Sequence, residues 1–130
     1  TKGFVMEFIH APKACASVGP YSHCVKAGST YYLCGQVPFH PVTGEVVGNG
    51  MKEQAVQTLA NMKAVLEAAG LAVTDIAKTT VFVTNMDDFA AFNEVYAAFM
   101  GEHRPARVCV EVSNIAHGCL LEMDAICFKE

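Results

Sequence analysis

The sequence predicts an α+β fold, in which a mixed sheet carries two helices packed on one of its faces. Three observations predict it. Short runs of branched and aromatic residues alternate with two apolar helical stripes, each stripe ending at a glycine (Gly70 and Gly101). The order is strands, helix, strand, helix, strands, so each helix links one strand to another, and right-handed crossovers place both on the same face. Hydrophobic residues make up 52% of the 130 and charged ones only 17%, enough for one core and one folding unit over residues 1–130.

The elements follow in chain order. Phe4 to Ile9 reads as a first strand, stopped by Ala11-Pro12, and Tyr21 to Lys26 as a short second one closed by Ala27-Gly28-Ser29. Thr30 to Val37 is rich in aromatic and branched residues and reads as a strand. Pro38 to Gly50, with two prolines and three glycines besides its other turn residues, reads as an excursion over the surface. Lys52 to Ala69 is the strongest helix, with Ala55, Leu59, Met62, Leu66 and Ala69 on one stripe. Ile76 to Thr84 is a β-branched strand. Asp87 and Asp88 are placed to cap a helix over Phe89 to Met100, whose Phe89, Phe92, Tyr96 and Phe99 share a face. Arg107 to Val112 and Leu120 to Phe128 complete the strands. Two helices cover one face of such a sheet, and subunit association is the expected cover for the other.

Composition excludes several classes of function. The formal net charge is −4 and no basic cluster occurs, so nucleic acid is a poor partner. No run approaches the ~20 apolar residues of a membrane span. Thr1 to His10 has no charged region followed by a long apolar run, so no signal peptide is expected, and the expected compartment is the cytoplasm. The six cysteines form no CxxC pair and sit at no zinc spacing with the five dispersed histidines, so no metal site and reduced thiols are expected.

Chemistry is most plausible where charge interrupts apolar strands. Alternation puts Arg107, Cys109 and Glu111 on one face and Val108, Val110 and Val112 on the other. A guanidinium in such a strand requires a partner. Arg107 reads either as half of a salt bridge to Glu122 or Glu111, or as a bidentate clamp for a carboxylate ligand. Glu122 is correspondingly its partner, or an acid that orients water, with Asp124 on the same face. Tyr21 lies in the turn Gly19-Pro20-Tyr21-Ser22 and reads as a packed ring or a site residue. Gly35-Gln36 ends a strand where a backbone without Cβ lets a ligand approach. Asn93 reads as a solvated helix polar or a site residue.

Several segments together resemble the RidA/YjgF family (endoribonuclease L-PSP-like). They are Val18-Gly19-Pro20-Tyr21-Ser22, Leu33-Cys34-Gly35-Gln36-Val37-Pro38, Pro41-Val42-Thr43-Gly44-Glu45 and Ala68-Ala69-Gly70-Leu71. Lys78 to Val83 with Asp88-Phe89, Arg104 to Val112, and Leu121-Glu122-Met123 extend the likeness over nearly the whole chain.

The resemblance implies a two-layer, chorismate-mutase-like fold and a homotrimer with ligand clefts between adjacent subunits. It implies hydrolytic deamination of the enamine/imine intermediates 2-aminoacrylate and 2-iminobutanoate to 2-keto acids and ammonia, without a cofactor. Pyridoxal-phosphate-dependent dehydratases supply those intermediates. By the same resemblance Arg107 clamps the substrate, Glu122 positions water, Tyr21 bonds the substrate nitrogen or caps the cleft, and the Cys109 main chain contacts the carboxylate. Gly35 and Asn93 border the cleft. Cys34 stands where many relatives carry serine, and a thiol is the weaker donor. Cys109 as a covalent nucleophile is the less favoured reading, since no histidine base is placed beside it. The alternatives are a non-catalytic trimer that binds keto acids or amino acids, and a ribonuclease or translation inhibitor.

Overall fold

The computed structural model describes residues 5–130, so Phe4 and the rest of Thr1–Phe4 lie outside the described residues. Among the described residues six strands form one sheet: β1 (Met6–Ile9), β2 (Cys24–Ala27), β3 (Thr30–Gln36), β4 (Ile76–Val83), β5 (Ala106–Glu111) and β6 (Leu121–Phe128). Their spatial order is β1-β2-β3-β6-β4-β5. Among the described residues β4 and β5 pair parallel and the other neighbours antiparallel. Helix α1 (Met51–Ala68) crosses from β3 to β4, and α2 (Phe89–Met100) from β4 to β5. Both helices share one core with the sheet. This is the mixed-sheet α+β architecture expected from the sequence, and among the described residues no helix is long and apolar enough to cross a membrane.

Strand alternation separates the two faces. Leu121, Met123, Ala125 and Cys127 of β6 are buried beneath the helices, as are Tyr31 and Leu33 of β3 and Val81 and Val83 of β4. The other face is exposed and apolar: Phe8 is 68% exposed, Phe128 52%, Tyr32 49% and Val108 44%. An apolar patch of this kind on a sheet signals an interaction surface.

Helix α1 ends as a Schellman motif, with Leu71 N–H donating to Leu66 O at 2.8 Å and Gly70 N–H to Glu67 O at 3.1 Å. Gly70 takes φ +74°, where a Cβ is disfavoured. Three details depart from the expected elements. The second strand begins at Cys24, because Tyr21 bonds back to Gly19 O in a tight turn. Neither Asp87 nor Asp88 supplies a side-chain cap to α2. The Asn85 side chain instead accepts from Asp87 N–H at the head of a 3₁₀ turn over Met86–Asp88 that leads into the helix.

The segment after β3 is more than a surface excursion. Phe39 is buried with Ile115 and Cys119 in a second small core, and pairs across its loop with Val46. Helix α1 holds this segment. The buried Asn61 side chain donates to Val37 O at 2.9 Å and to Phe39 O at 2.8 Å, while its Oδ1 accepts from Gln57 at 2.9 Å. Gln54 likewise donates to Gly48 O at 3.0 Å and accepts from Leu120 N–H at 2.9 Å.

Replacing Asn61 by Leu removes both donors from two buried carbonyls and is expected to cost about 3 kcal/mol. Urea unfolding checks this: the midpoint should fall with an unchanged m-value, and a loss below ~1 kcal/mol would contradict the clamp.

Candidate active site

A cavity of about 390 Å³ opens where β3 stops and β6 begins, within the size range of small-molecule sites. Tyr21, Cys34, Gly35 and Glu122 line it, together with Gln36, Cys15, Val37, Phe39 and Ala116. The sequence of β3 explains why Glu122 fits. The pairing of β3 with β6 shifts register between Leu33 and Gln36, and Gly35 lies in that irregularity. A Cβ on Gly35 would stand 3.0 Å from Glu122 Cδ and closer still to Oε2. The glycine is thus required by close approach of the carboxylate.

Burial pushes the Glu122 carboxyl above the usual glutamate range, and the like charge of Asp124, two residues along the same face, adds to the rise. Glu122 meets no cation: among the described residues the ion pair is Lys52–Glu94, far along the helices. Burial also raises the Cys34 thiol, with Gln36 Nε2 donating to Cys34 Sγ at 3.1 Å and pulling the other way. Cys34 is therefore a neutral S–H group at pH 7, its sulfur already accepting one bond.

Tyr21 lines the cavity and is 49% exposed, so it is not a packed core aromatic. His23 is buried and lines the cavity, but both ring nitrogens are committed. Nδ1 accepts from Ala11 N–H at 3.0 Å, so Nε2 carries the proton and donates to Cys15 O at 2.7 Å. No nitrogen remains to act as a base.

Arg107 lies elsewhere. It pairs with Thr79 in register on the helix-covered face of β5, at the sheet edge, with β4 between it and β6. Its Nη1 donates to Asn93 Oδ1 at 2.8 Å. The guanidinium carbon stands 4.8 Å from the Tyr96 ring centre, 5.3 Å from that of Phe89 and 6.0 Å from that of Phe92. Tyr96 is in turn fixed by a 2.7 Å bond between its hydroxyl and Thr79 Oγ1.

The aromatic face of α2 therefore forms a cradle that holds the guanidinium by its ring faces and one amide. The salt bridge weighed from the sequence is not formed with either acid. Glu111 instead accepts from Met86 N–H at 2.8 Å. Asn93 is no solvated polar residue, since it is the hydrogen-bond partner of Arg107. A second hollow opens here, lined by Asn93, Tyr96, Pro105 and Arg107.

Cys109 shares the Arg107 face, its thiol raised by burial despite the nearby guanidinium. All six cysteines are free, with Cys24 pushed up to about 11 and Cys127 to about 12 by burial. Protonated thiols of this kind are poor nucleophiles.

One chain thus brings Tyr21, Cys34, Gly35 and Glu122 together and groups Arg107, Asn93 and Cys109 separately. Sequence reading missed Cys15, Ala116 and the clamping residue Asn61. A signal for the last existed: Gln54, Thr58 and Asn61 recur at helical spacing beside the apolar stripe of α1, and all three are buried.

The chain matches known proteins over nearly its full length. A family model described as Endoribonuclease L-PSP matches residues 10–129. A RutC family protein of Pyrococcus horikoshii is 48% identical over 124 residues, covering 95% of this chain and 98% of that one. The 2-iminobutanoate/2-iminopropanoate deaminase of Escherichia coli K12 is 45% identical over 124 residues, covering 93% and 96%. Among solved structures, E. coli TdcF with bound serine superposes with a TM-score of 0.90 at 41% identity, covering 95% of this chain and 99% of that one.

The raised Glu122 carboxyl has a consequence for stability. Because the folded state holds its proton more tightly than the unfolded state, ionising Glu122 destabilises the fold at pH 7. Glu122→Gln is expected to raise the Tm at pH 7. The gain should fade as pH falls through the folded and then the unfolded carboxyl value. Thermal melts from pH 7 to pH 3 check it, and a lower Tm at pH 7 would contradict the assigned environment.

Proposed function

This chain belongs to the Endoribonuclease L-PSP (RidA/YjgF) family, and we propose that it is an enzyme hydrolysing 2-imino acids to 2-keto acids and ammonia. The observation that carries this reading is Glu122: a half-buried carboxylate with a raised pKa, pressed against Gly35 in a cavity of substrate size. The similarity to the E. coli deaminase over nearly all of both chains supports the substrate class.

The reaction needs water, a base and an anchor. Water adds to the carbon of the protonated imine, its proton passing to Glu122 and leaving a neutral aminoalcohol. Glu122 returns that proton to the amine nitrogen, and ammonia leaves as the hydroxyl gives up its proton to solvent and the carbonyl forms. A carboxyl whose pKa is raised by burial serves both transfers, accepting in the first and donating in the second. Tyr21, which lines the cavity, is the residue we assign to bond the substrate nitrogen or cap the cleft. The Cys34 S–H, with its sulfur lone pair engaged by Gln36, is left as a weak donor.

Arg107 supplies the anchor for the substrate carboxylate, joined by the Cys109 main chain. Asn93 and the aromatic cradle fix the guanidinium plane and leave the rest of its fork free. Oriented binding converts a chance encounter with water into a directed one.

These two groups meet only if a second copy completes each cleft. A homotrimer is the assembly we propose, its interfaces formed through the apolar open face of the sheet. That face carries Tyr32, Val108, Val110 and Phe128, all exposed. Dehydration of serine or threonine by pyridoxal-phosphate enzymes is the class of reaction that supplies such imines.

A coupled assay tests the reading. A threonine dehydratase generates the imine in semicarbazide-containing buffer, and suppression of semicarbazone formation reports hydrolysis. Wild type should intercept the imine, and Arg107→Ala should lose ~100-fold or more in kcat/KM. Absence of interception by folded wild type would leave a ligand-binding protein instead. Gly35→Ala should lose activity comparably while melting within a few degrees of wild type, because its Cβ displaces only the mobile end of Glu122. Full activity in Gly35→Ala would remove Glu122 from the mechanism.

A further inference from the structure

The loop that brings Tyr21 to the cavity is closed at its neck by one imidazole. The 16–22 stretch carries Val18 and Tyr21, which line the cavity that Glu122 also lines. Its own hydrogen bond, from Tyr21 N–H to Gly19 O at 2.9 Å, lies inside the stretch. Among the described residues no hydrogen bond joins 16–22 directly to the rest of the fold.

The flanking residues are bonded instead. Cys15 and His23 meet across the neck, where His23 Nε2 donates to Cys15 O at 2.7 Å. The other nitrogen of the same ring, Nδ1, accepts from Ala11 N–H at 3.0 Å, just beyond the end of β1. Each side of the neck is tied onward to the cavity. Cys15 Sγ donates to Phe39 O at 3.1 Å, and His23 O accepts from Cys34 N–H at 2.9 Å. The ring has no room to turn, since His23 is 2% exposed and packs on the His10 ring with 5.1 Å between centroids.

One form of the ring makes both bonds. Nδ1 has to be bare where it faces Ala11 N–H, and Nε2 has to carry the proton where it faces the Cys15 carbonyl. The other tautomer sets N–H against N–H and a lone pair against a carbonyl, which leaves buried polar groups unpaired. Tyr21 hangs on a loop with no other bond to the fold, so its position depends on this neck.

Resting on the deaminase reading, we propose that His23 is a positioning residue for that reaction: with Nδ1 bare and Nε2 protonated it closes the neck of the 16–22 loop and so holds Tyr21 at the substrate. The ring moves no proton of the reaction, both its nitrogens being engaged, and it acts through Tyr21.

The test is a double-mutant cycle in the imine assay. His23→Leu fills the space of the ring without bonding and should lower kcat/KM at least ~tenfold in the otherwise wild-type chain. In a Tyr21→Ala chain, where no ring is left to position, the same change should lower it less than about twofold. His23→Gln should stay within about threefold of wild type, because a carboxamide carries an acceptor and a donor on one carbon, as the two imidazole nitrogens are carried. Nitrogen NMR of wild type labelled at histidine reads the ring itself, and the signal missing from His23→Gln should be that of a neutral Nε2–H tautomer at neutral pH.

Equal losses from His23→Leu in the two chains, a folded but inactive His23→Gln, or an Nδ1–H or doubly protonated ring in wild type would each overturn the positioning role and leave the deaminase reading intact. Should His23→Leu not fold, His23→Gln and the spectrum decide. If wild type hydrolyses no imine, the deaminase reading fails. The cycle is then read on calorimetric affinity for 2-oxobutanoate, where additive losses would overturn the role of His23.

Discussion

A β-strand sends successive side chains to opposite faces, and in this sheet that rule separates Arg107 from Glu122. Arg107 stands on the helix-covered face at the β5 edge, and Glu122 on the open face of β6, with β4 between them. No rotamer bridges the two faces of a sheet. A chain that uses both residues on one substrate therefore has to bring the second from another copy. The same open face that carries Glu122 is apolar, so in the proposed assembly the surface that needs burial and the residue that needs a partner lie on one side of the sheet.

Each half-site is prepared before any partner arrives. On one side, Asn93, Phe89 and Tyr96 hold the guanidinium, and the Tyr96–Thr79 bond ties that cradle to β4. On the other, the polar residues of α1 act at a distance: Asn61 fixes the carbonyls of Val37 and Phe39, and Gln54 fixes Gly48 and Leu120. These bonds hold the segments flanking β3 and β6 in place, so the cavity needs little ordering on binding. Glu122 is kept in a setting that costs stability when it ionises, as is common where a carboxylate has to exchange protons near neutral pH.

Much of the fold was legible in the sequence. The helix over Phe89–Met100 matches residue for residue, and α1 lies one residue earlier than its apolar stripe suggested, because periodicity locates faces better than ends. The cap of α2 was misread, since Asn85 and a 3₁₀ turn precede it and the acids that follow are solvated. The loop after β3 looked superficial from its prolines and glycines, yet the single residue Phe39 gives it a core. At the site, the residue types and the face alternation of Arg107 and Cys109 were readable. What could not be read was which partners these polar groups take: the bond of Arg107 to Asn93 depends on how α2 packs on β5, and the polar stripe of α1 marks Asn61 without showing that it holds the carbonyls of Val37 and Phe39. Family likeness named Glu122 and Gly35 separately, and only the fold reveals that one makes room for the other.

The central claim is that each working cleft takes Arg107 from one copy and Glu122 from its neighbour. The direct measurement is complementation: Arg107→Ala and Glu122→Gln chains, each inactive alone, are unfolded together, refolded and assayed for imine hydrolysis. Random assembly gives intact clefts made from the good half of each, so the mixture should recover about a quarter of wild-type activity. If mixed oligomers form and remain as inactive as either parent, Arg107 and Glu122 do not share a cleft between copies, and the account is wrong.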